Sequence, residues 1–213
     1  MAASAKFISF EGIDGCGKST LLNQFCSWLS DAAIPYIKTR EPGGTRLGES
    51  IRDLLLDPSN QNMDEWAEVL LYTASRAQLL QEVIRPALQQ GTWVVADRFI
   101  DATLAYQGYG RGLDLERLRK IQQWACKGLL PDHTALLDCD VETAFSRMQG
   151  RTEDPDRMEL EKLSFHQRVR EGYLELAKID SRRLVVLNTE KPLHEVIEDL
   201  YRAFWQPLLQ NMP

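Results

Sequence analysis

Histidine is scarce in this chain, and its few cysteines are not arranged to hold a metal or to staple a fold. Three histidines and four cysteines (Cys16, Cys26, Cys126, Cys139) occur in 213 residues, with no Cys-x-x-Cys pair and no zinc-ligand spacing. Reduced thiols in a cytoplasmic protein are the expectation. No apolar run approaches the length of a membrane span. Only six residues precede the first strand-like run, so no signal peptide is expected. Positive charge is also in deficit: 25 Lys and Arg against 31 Asp and Glu leave a net charge of −6. That balance argues against a nucleic-acid duplex or an anionic membrane as the main partner. Repeats, linkers and low-complexity tracts are missing too, so a single domain over 1–213 is expected.

What is present begins at the apolar run Phe7-Ile8-Ser9-Phe10, which leads into Gly12-Ile13-Asp14-Gly15-Cys16-Gly17-Lys18-Ser19-Thr20 and then an apolar helical stripe. This is Gly-x-x-x-x-Gly-Lys-Ser in the context the motif requires, with a strand before it and a helix behind. Its backbone N–H groups can curl around a polyphosphate, and the helix directs its positive end at the anion. Residues 12–20 are therefore the expected ATP-binding segment. Lys18 would reach the β/γ-phosphates and Ser19 would ligand Mg²⁺.

Along the rest of the chain, apolar strands alternate with amphipathic helices. Strands are expected at Ile34–Thr39, Thr92–Ala96, His133–Asp138 and Arg183–Leu187. Helices are expected near Leu47–Leu55, Asp64–Gln90, Asp114–Ala125, Val141–Met148, Glu159–Lys178 and from Pro192 onward. Pro86 should kink or shorten the long helix, and Gly108–Gly112 reads as a loop. The alternation implies a parallel sheet, about five strands wide, with helices on both faces and a ligand site at the carboxyl ends of the strands.

Transfer of a phosphoryl group asks the protein mainly for positioning and charge neutralisation. An acceptor that is itself a phosphate has a second pKa of about 6 and needs no general base. Such an enzyme should gather arginines at strand ends and in a closing loop. Arg52 follows the loop Arg40-Glu41-Pro42-Gly43-Gly44-Thr45, Arg98 ends a strand, and Arg151 and Arg157 lie in the charged run 149–159. A solvated helix face would explain Arg52 as well, and a solvated charge run would explain Arg151 and Arg157. Asp97 either holds the hydration shell of Mg²⁺ or pairs with Arg98. Tyr72 and Arg76, four residues apart, share one helix face, either as a surface pair or as a plate and fork for a base.

Taken together, several stretches resemble thymidylate kinase from about Phe7 to about Trp205. They are Phe10 to Thr20, Thr39 to Thr45, Leu70-Leu71-Tyr72-Thr73-Ala74-Ser75-Arg76, Asp97-Arg98-Phe99, Ala105-Tyr106-Gln107-Gly108 and Gly110-Arg111-Gly112. The resemblance implies a P-loop fold of the nucleoside monophosphate kinase type that passes the ATP γ-phosphate to dTMP with Mg²⁺, for deoxynucleotide biosynthesis. By the same resemblance, Asp14 would hold the dTMP 3′-hydroxyl, while Arg52 and Arg98 would bind its phosphate. Pro42, Tyr72, Arg76, Thr103 and Gln107 would contact base and sugar, Arg76 at the O4 edge. Tyr106 would crowd the 2′ carbon and select deoxyribose. Lys18 and Arg98 would be catalytic, together with an arginine from a mobile lid at about 149–159. Gly15 stands where the family's other layout carries that arginine. Arg151 and Arg157 both remain candidates, and Gly15→Arg is expected to rescue loss of either one in part if the layouts are interchangeable. Phe99 replaces a residue that is often Tyr or His in the family. The loop Asn188–Pro192 would border adenine, and the family implies a homodimer.

Two rival readings carry their own signatures. A kinase with a hydroxyl acceptor would need a carboxylate base, for which Glu11 or Glu41 could serve. A GTP-dependent switch would carry Asn-Lys-x-Asp, and a second Asp-x-x-Gly outside the phosphate loop; neither occurs.

Overall fold

Strand β1 (Phe7–Glu11) is buried along its whole length, as an apolar run flanked on both sides and both faces must be. The computed structural model describes residues 5–150 and 154–210. Around β1 it assembles β2 (Tyr36–Arg40), β3 (Trp93–Asp97), β4 (His133–Asp138) and β5 (Leu184–Asn188) in the order β2-β3-β1-β4-β5, every pair parallel. Alternate side chains feed two cores. Ile8, Phe10 and Val95 face Phe25, Leu29 and Phe204, whereas Phe7, Val94 and Ala96 face Leu79, Ile84 and Phe99. Each fully buried large apolar side chain stabilises the fold by about 1.5–3 kcal/mol.

Register decides what meets at the carboxyl edge. Phe10 lies opposite Asp97, and Asp97 lies opposite Arg40. The phosphate loop, the Glu41-Pro42 turn and the Asp97-Arg98 step therefore emerge side by side. The crossover from β1 out to β2 and back through β3 leaves the switch point at β1, where a crevice is expected.

Expected strand limits move by one or two residues, with local causes. Ile34 completes the end of α1 (Lys18–Asp31) by donating its N–H to the Leu29 carbonyl, so β2 starts only at Tyr36. After α2 (Arg46–Leu56), capped by Thr45 Oγ1 on the Gly48 N–H, the long helix opens as α3 (Glu65–Leu79) with Asp64 as its cap. Pro86 does not end it. A wider π-helical turn at Leu80–Ile84, closed by Arg85 N–H to the Leu80 carbonyl, makes room for the ring, and α4 (Arg85–Gln89) continues. The same sequence of turns recurs at Tyr201–Trp205, after α9 (Leu193–Leu200) and ahead of the segment Gln206–Gln210 that holds Pro207.

The expected loop at Gly108 is also helical. After α5 (Ile100–Thr103), a π-helical stretch runs from Leu104 to Gly110 and packs on α8 (Leu163–Ile179). Gly110 is required there by close approach: a Cβ would lie 2.7 Å from the Phe165 ring. Helix α6 (Leu115–Cys126) follows its cap Asp114 as expected, and α7 (Val141–Met148) follows Asp140. Helix α8 starts four residues later than the sequence suggests. Asp156 Oδ1 accepts from the N–H groups of Met158 and Glu159 and closes a separate turn, and Lys162 is extended. No described helix is long and apolar enough to cross a membrane.

Candidate active site

Helix α1 begins after Gly17, whose φ of 94° turns the chain into it, and no side chain caps its N-terminus. The first N–H groups therefore face the loop, as an anion site requires. Lys18 donates to the carbonyls of Gly12 (3.2 Å) and Ile13 (3.0 Å), so those residues hold the ammonium from behind. In front lies a solvent-open cavity, which Gly15, Lys18, Ser19 and Thr20 share with Asp97 and Arg98. Cys16 is buried and lines an adjoining cavity of about 630 Å³ against Thr189, Lys191 and Arg147.

Asp97 Oδ1 is buried with no hydrogen-bond partner, and it shares the solvent-open cavity with the exposed Ser19. One carboxylate and one hydroxyl form a hard-oxygen donor set that suits Mg²⁺ completed by phosphates and water. Among the described residues no cluster of three His, Cys, Asp or Glu could hold a metal by protein ligands alone. The residues present therefore fit an ion that arrives with a nucleotide.

A second cleft, of about 550 Å³, is lined by all nine residues expected to bind the acceptor: Asp14, Pro42, Arg52, Tyr72, Arg76, Arg98, Thr103, Tyr106 and Gln107. Asp14, Arg52 and Arg98 border both cavities. Arg98 donates to Asp14 Oδ1 at 2.6 Å and lies over the Tyr106 ring at 4.8 Å, and Tyr106 donates its hydroxyl to Asp14 Oδ2 at 3.1 Å. Burial alone would raise the Asp14 carboxyl, but the charges of Arg98 and Lys18 outweigh it and hold the group well below the usual range. Arg52 is fixed by donating to the Pro42 carbonyl at 3.0 Å. Burial pushes the Tyr72 hydroxyl up, so it stays neutral.

Arg98 has a φ of 68°, a left-handed backbone at a non-glycine residue. That conformation costs roughly 1–2 kcal/mol and persists only where neighbours over-determine it. Arg76 is 1% exposed and uses its whole guanidinium: Nε and Nη2 reach Glu41 Oε2 at 2.6 Å, Nη1 reaches Thr103 Oγ1 and Gln122 Oε1, and Nη2 also reaches the Phe99 carbonyl. Helix surface pairing with Tyr72 is excluded by that burial.

Several participants go unnoticed in the sequence. Glu68, an ordinary helix-face glutamate by pattern, is buried and accepts from Gln107, Arg111 and, at ion-pair distance, Arg157. The Gly-Arg-Gly context of Arg111 was the available signal. Arg157 is 4% exposed, donates its Nε to the Leu55 carbonyl at 2.7 Å, and does not border the phosphate cavity. Arg151 lies outside the described residues. Arg147, on α7, bonds the Thr189 carbonyl at 2.9 Å and joins the phosphate cavity to the cavity beside Lys191. The rival base Glu11 is sealed from both cavities, accepting from the Phe99 N–H and the Tyr173 hydroxyl, each at 2.7 Å. At Gly15 φ is 79° and a Cβ would stand 2.2 Å from the Ala144 carbonyl, so an arginine there is strained and requires the loop or α7 to shift.

The model of the thymidylate kinase family matches residues 10–200. A thymidylate kinase of Carboxydothermus hydrogenoformans is 53% identical over 187 residues, covering 88% of this chain and 91% of its own. One from Nitratidesulfovibrio vulgaris is 47% identical over 203 residues (92% and 94%), and one from Symbiobacterium thermophilum 45% over 196 (92% and 91%). With the acceptor cleft and phosphate cavity meeting at Arg98, and with this similarity over nearly the whole length, the chain belongs to the thymidylate kinase family.

Proposed function

We propose that this protein transfers the γ-phosphoryl group of ATP to the phosphate of dTMP, giving dTDP and ADP. The observation that carries the reading is the shared wall of the two cavities, where Arg52 and Arg98 border both. An acceptor phosphate held there faces the donor phosphates, and two cations offset the repulsion between the anions. The phosphate oxygen is already a nucleophile, so no base is required. Asp14 then takes the sugar 3′-hydroxyl, Tyr72 and Arg76 take the base, and Tyr106 crowds the 2′ position. Thr103, Gln107 and Pro42 line the same cleft.

Ser19 and Asp97, the latter through water, would hold Mg²⁺, which when bound neutralises charge on the transferring phosphates. Lys18 swings from the loop carbonyls to the β/γ-phosphates. The flat guanidinium of Arg147 offers a face for adenine beside Thr189 and Lys191. The segment 149–159 acts as the lid of a single domain. Arg157 is buried, bonded to the Leu55 carbonyl and ion-paired with Glu68 away from the phosphate cavity, which favours Arg151 as the arginine delivered on closure. Leu70 on α3 and Trp124 on α6 are 59% and 83% exposed on helices that pack together, in keeping with a homodimer through that region.

A coupled assay of ADP release across nucleoside monophosphates tests the reading. Highest kcat/KM with dTMP is expected; equal rates with ribonucleotides would overturn it.

A further inference from the structure

Arg98 is aimed by backbone that an arginine does not adopt unaided, with φ at 68° in the step between β3 and α5. Three contacts bracket that step. The Arg98 N–H bonds the Phe10 carbonyl of β1 at 3.0 Å, extending the sheet register by one residue. The Phe99 N–H is taken by Glu11 Oε1 at 2.7 Å, and the Phe99 carbonyl accepts from Arg76 Nη2 at 3.1 Å. Glu11 is itself fixed, being fully buried and accepting the Tyr173 hydroxyl on its other oxygen at 2.7 Å. Two residues back along β1, on the same sheet face as Glu11, Ser9 meets Thr134; two further back, Phe7 meets the Phe99 ring edge-on at 4.8 Å. Glu11 borders neither cavity, so it acts on the reaction only through other residues.

We propose that Glu11 is the positioning residue for Arg98. Its carboxyl reaches the Phe99 N–H, keeps the backbone left-handed at Arg98, and so holds the guanidinium at the boundary between acceptor and donor phosphates. Reach is the property that matters. A glutamine brings the same oxygen to the same amide and can still bond the Tyr173 oxygen. An aspartate keeps the carboxyl group but falls one methylene short. A side chain that merely filled the core would behave differently: both changes would lower stability and active fraction without moving the KM for dTMP.

The inference deepens the proposed dTMP kinase reading and rests on Arg98 as a ligand of the acceptor phosphate. Wild-type turnover of dTMP tests that reading by itself. Glu11→Gln and Glu11→Asp then test the inference in two ways. Hydrogen exchange at the Phe99 amide, read by NMR without substrate, should quicken at least about tenfold in Glu11→Asp and stay near wild type in Glu11→Gln, with β4 amides as the folding control. In kinetics, Glu11→Asp should raise the KM for dTMP about tenfold or more while the KM for ATP moves less than about twofold, and Glu11→Gln should hold both within about threefold. Unchanged Phe99 exchange in Glu11→Asp overturns the inference. So does an equal shift of both KM values, or a Glu11→Gln defect as large as that of Glu11→Asp.

Discussion

Arg76 is held inside the protein by bonds to Glu41, Thr103, Gln122 and the Phe99 carbonyl and still lines the acceptor cleft. Holding the base-reading group this way removes the freedom that a long side chain would otherwise lose on binding. The cost of removing it follows from its partner. Glu41 Oε1 is already buried without a bond, so Arg76→Ala would leave the whole carboxylate unpaired. A loss of about 3–5 kcal/mol in urea unfolding is expected, with part of it recovered in the double variant Glu41→Gln/Arg76→Ala. Binding of dTMP should weaken far more than binding of ATP, measured by calorimetry on protein that remains folded; equal losses would remove Arg76 from base reading. Burial raises the Glu41 carboxyl and the charge of Arg76 opposes it, a balance that no linear pattern displays.

At the scale of elements, strands and long helices were legible because their apolar period is set by the faces they bury. Gly12 to Thr20 was legible because loop, strand and helix must follow one another in that order. The π-helical turns were not. Pro86 reads as a kink or an early end to the helix, whereas a wider turn at Leu80–Ile84, whose Leu80 and Ile84 lie in one core cluster with Phe99 and Val94, lets the helix pass it. The position of Arg157 was equally hidden, since its partners Leu55 and Glu68 are about a hundred residues away in sequence. From this follows a contrast between the two candidate arginines of the proposed lid. Arg157→Ala should lower stability by about 1–3 kcal/mol, leaving Glu68 short of a partner. Arg151→Ala should leave thermal unfolding within about 0.5 kcal/mol of wild type but cut kcat by a factor of about 100 or more. Thermal melts beside single-turnover kinetics separate the two, and the reverse pattern would make Arg157 the catalytic group. Gly15→Arg should cost at least about 2 kcal/mol and rescue neither variant, because α7 occupies the space its Cβ needs.

For the whole molecule, the buried acids set the pH range of stability. Burial and the Asp101 charge push Glu11 from 4.5 up to about 8, against the Tyr173 and Phe99 hydrogen bonds and the Arg98 charge. Between those values the native state binds more protons than the unfolded chain, so stability falls as pH rises through that window. Asp14 shifts the other way: its contribution is present above about 3.8 and is lost as pH falls below it. Urea midpoints should therefore be highest in mildly acid buffer, and Glu11→Gln should flatten the alkaline limb while leaving the acid limb in place. A steep alkaline limb in that variant would assign the slope to another group.

The central claim is that the acceptor is a phosphate gripped by Arg52 and Arg98 where the two cavities meet. Its most direct test supplies the enzyme with ATP, Mg²⁺ and equal amounts of dTMP and thymidine, and follows the products by phosphorus NMR. The paired resonances of dTDP are expected, with thymidine left unphosphorylated. Formation of dTMP from thymidine ahead of dTDP, or ATP hydrolysis with dTMP unchanged, would contradict it.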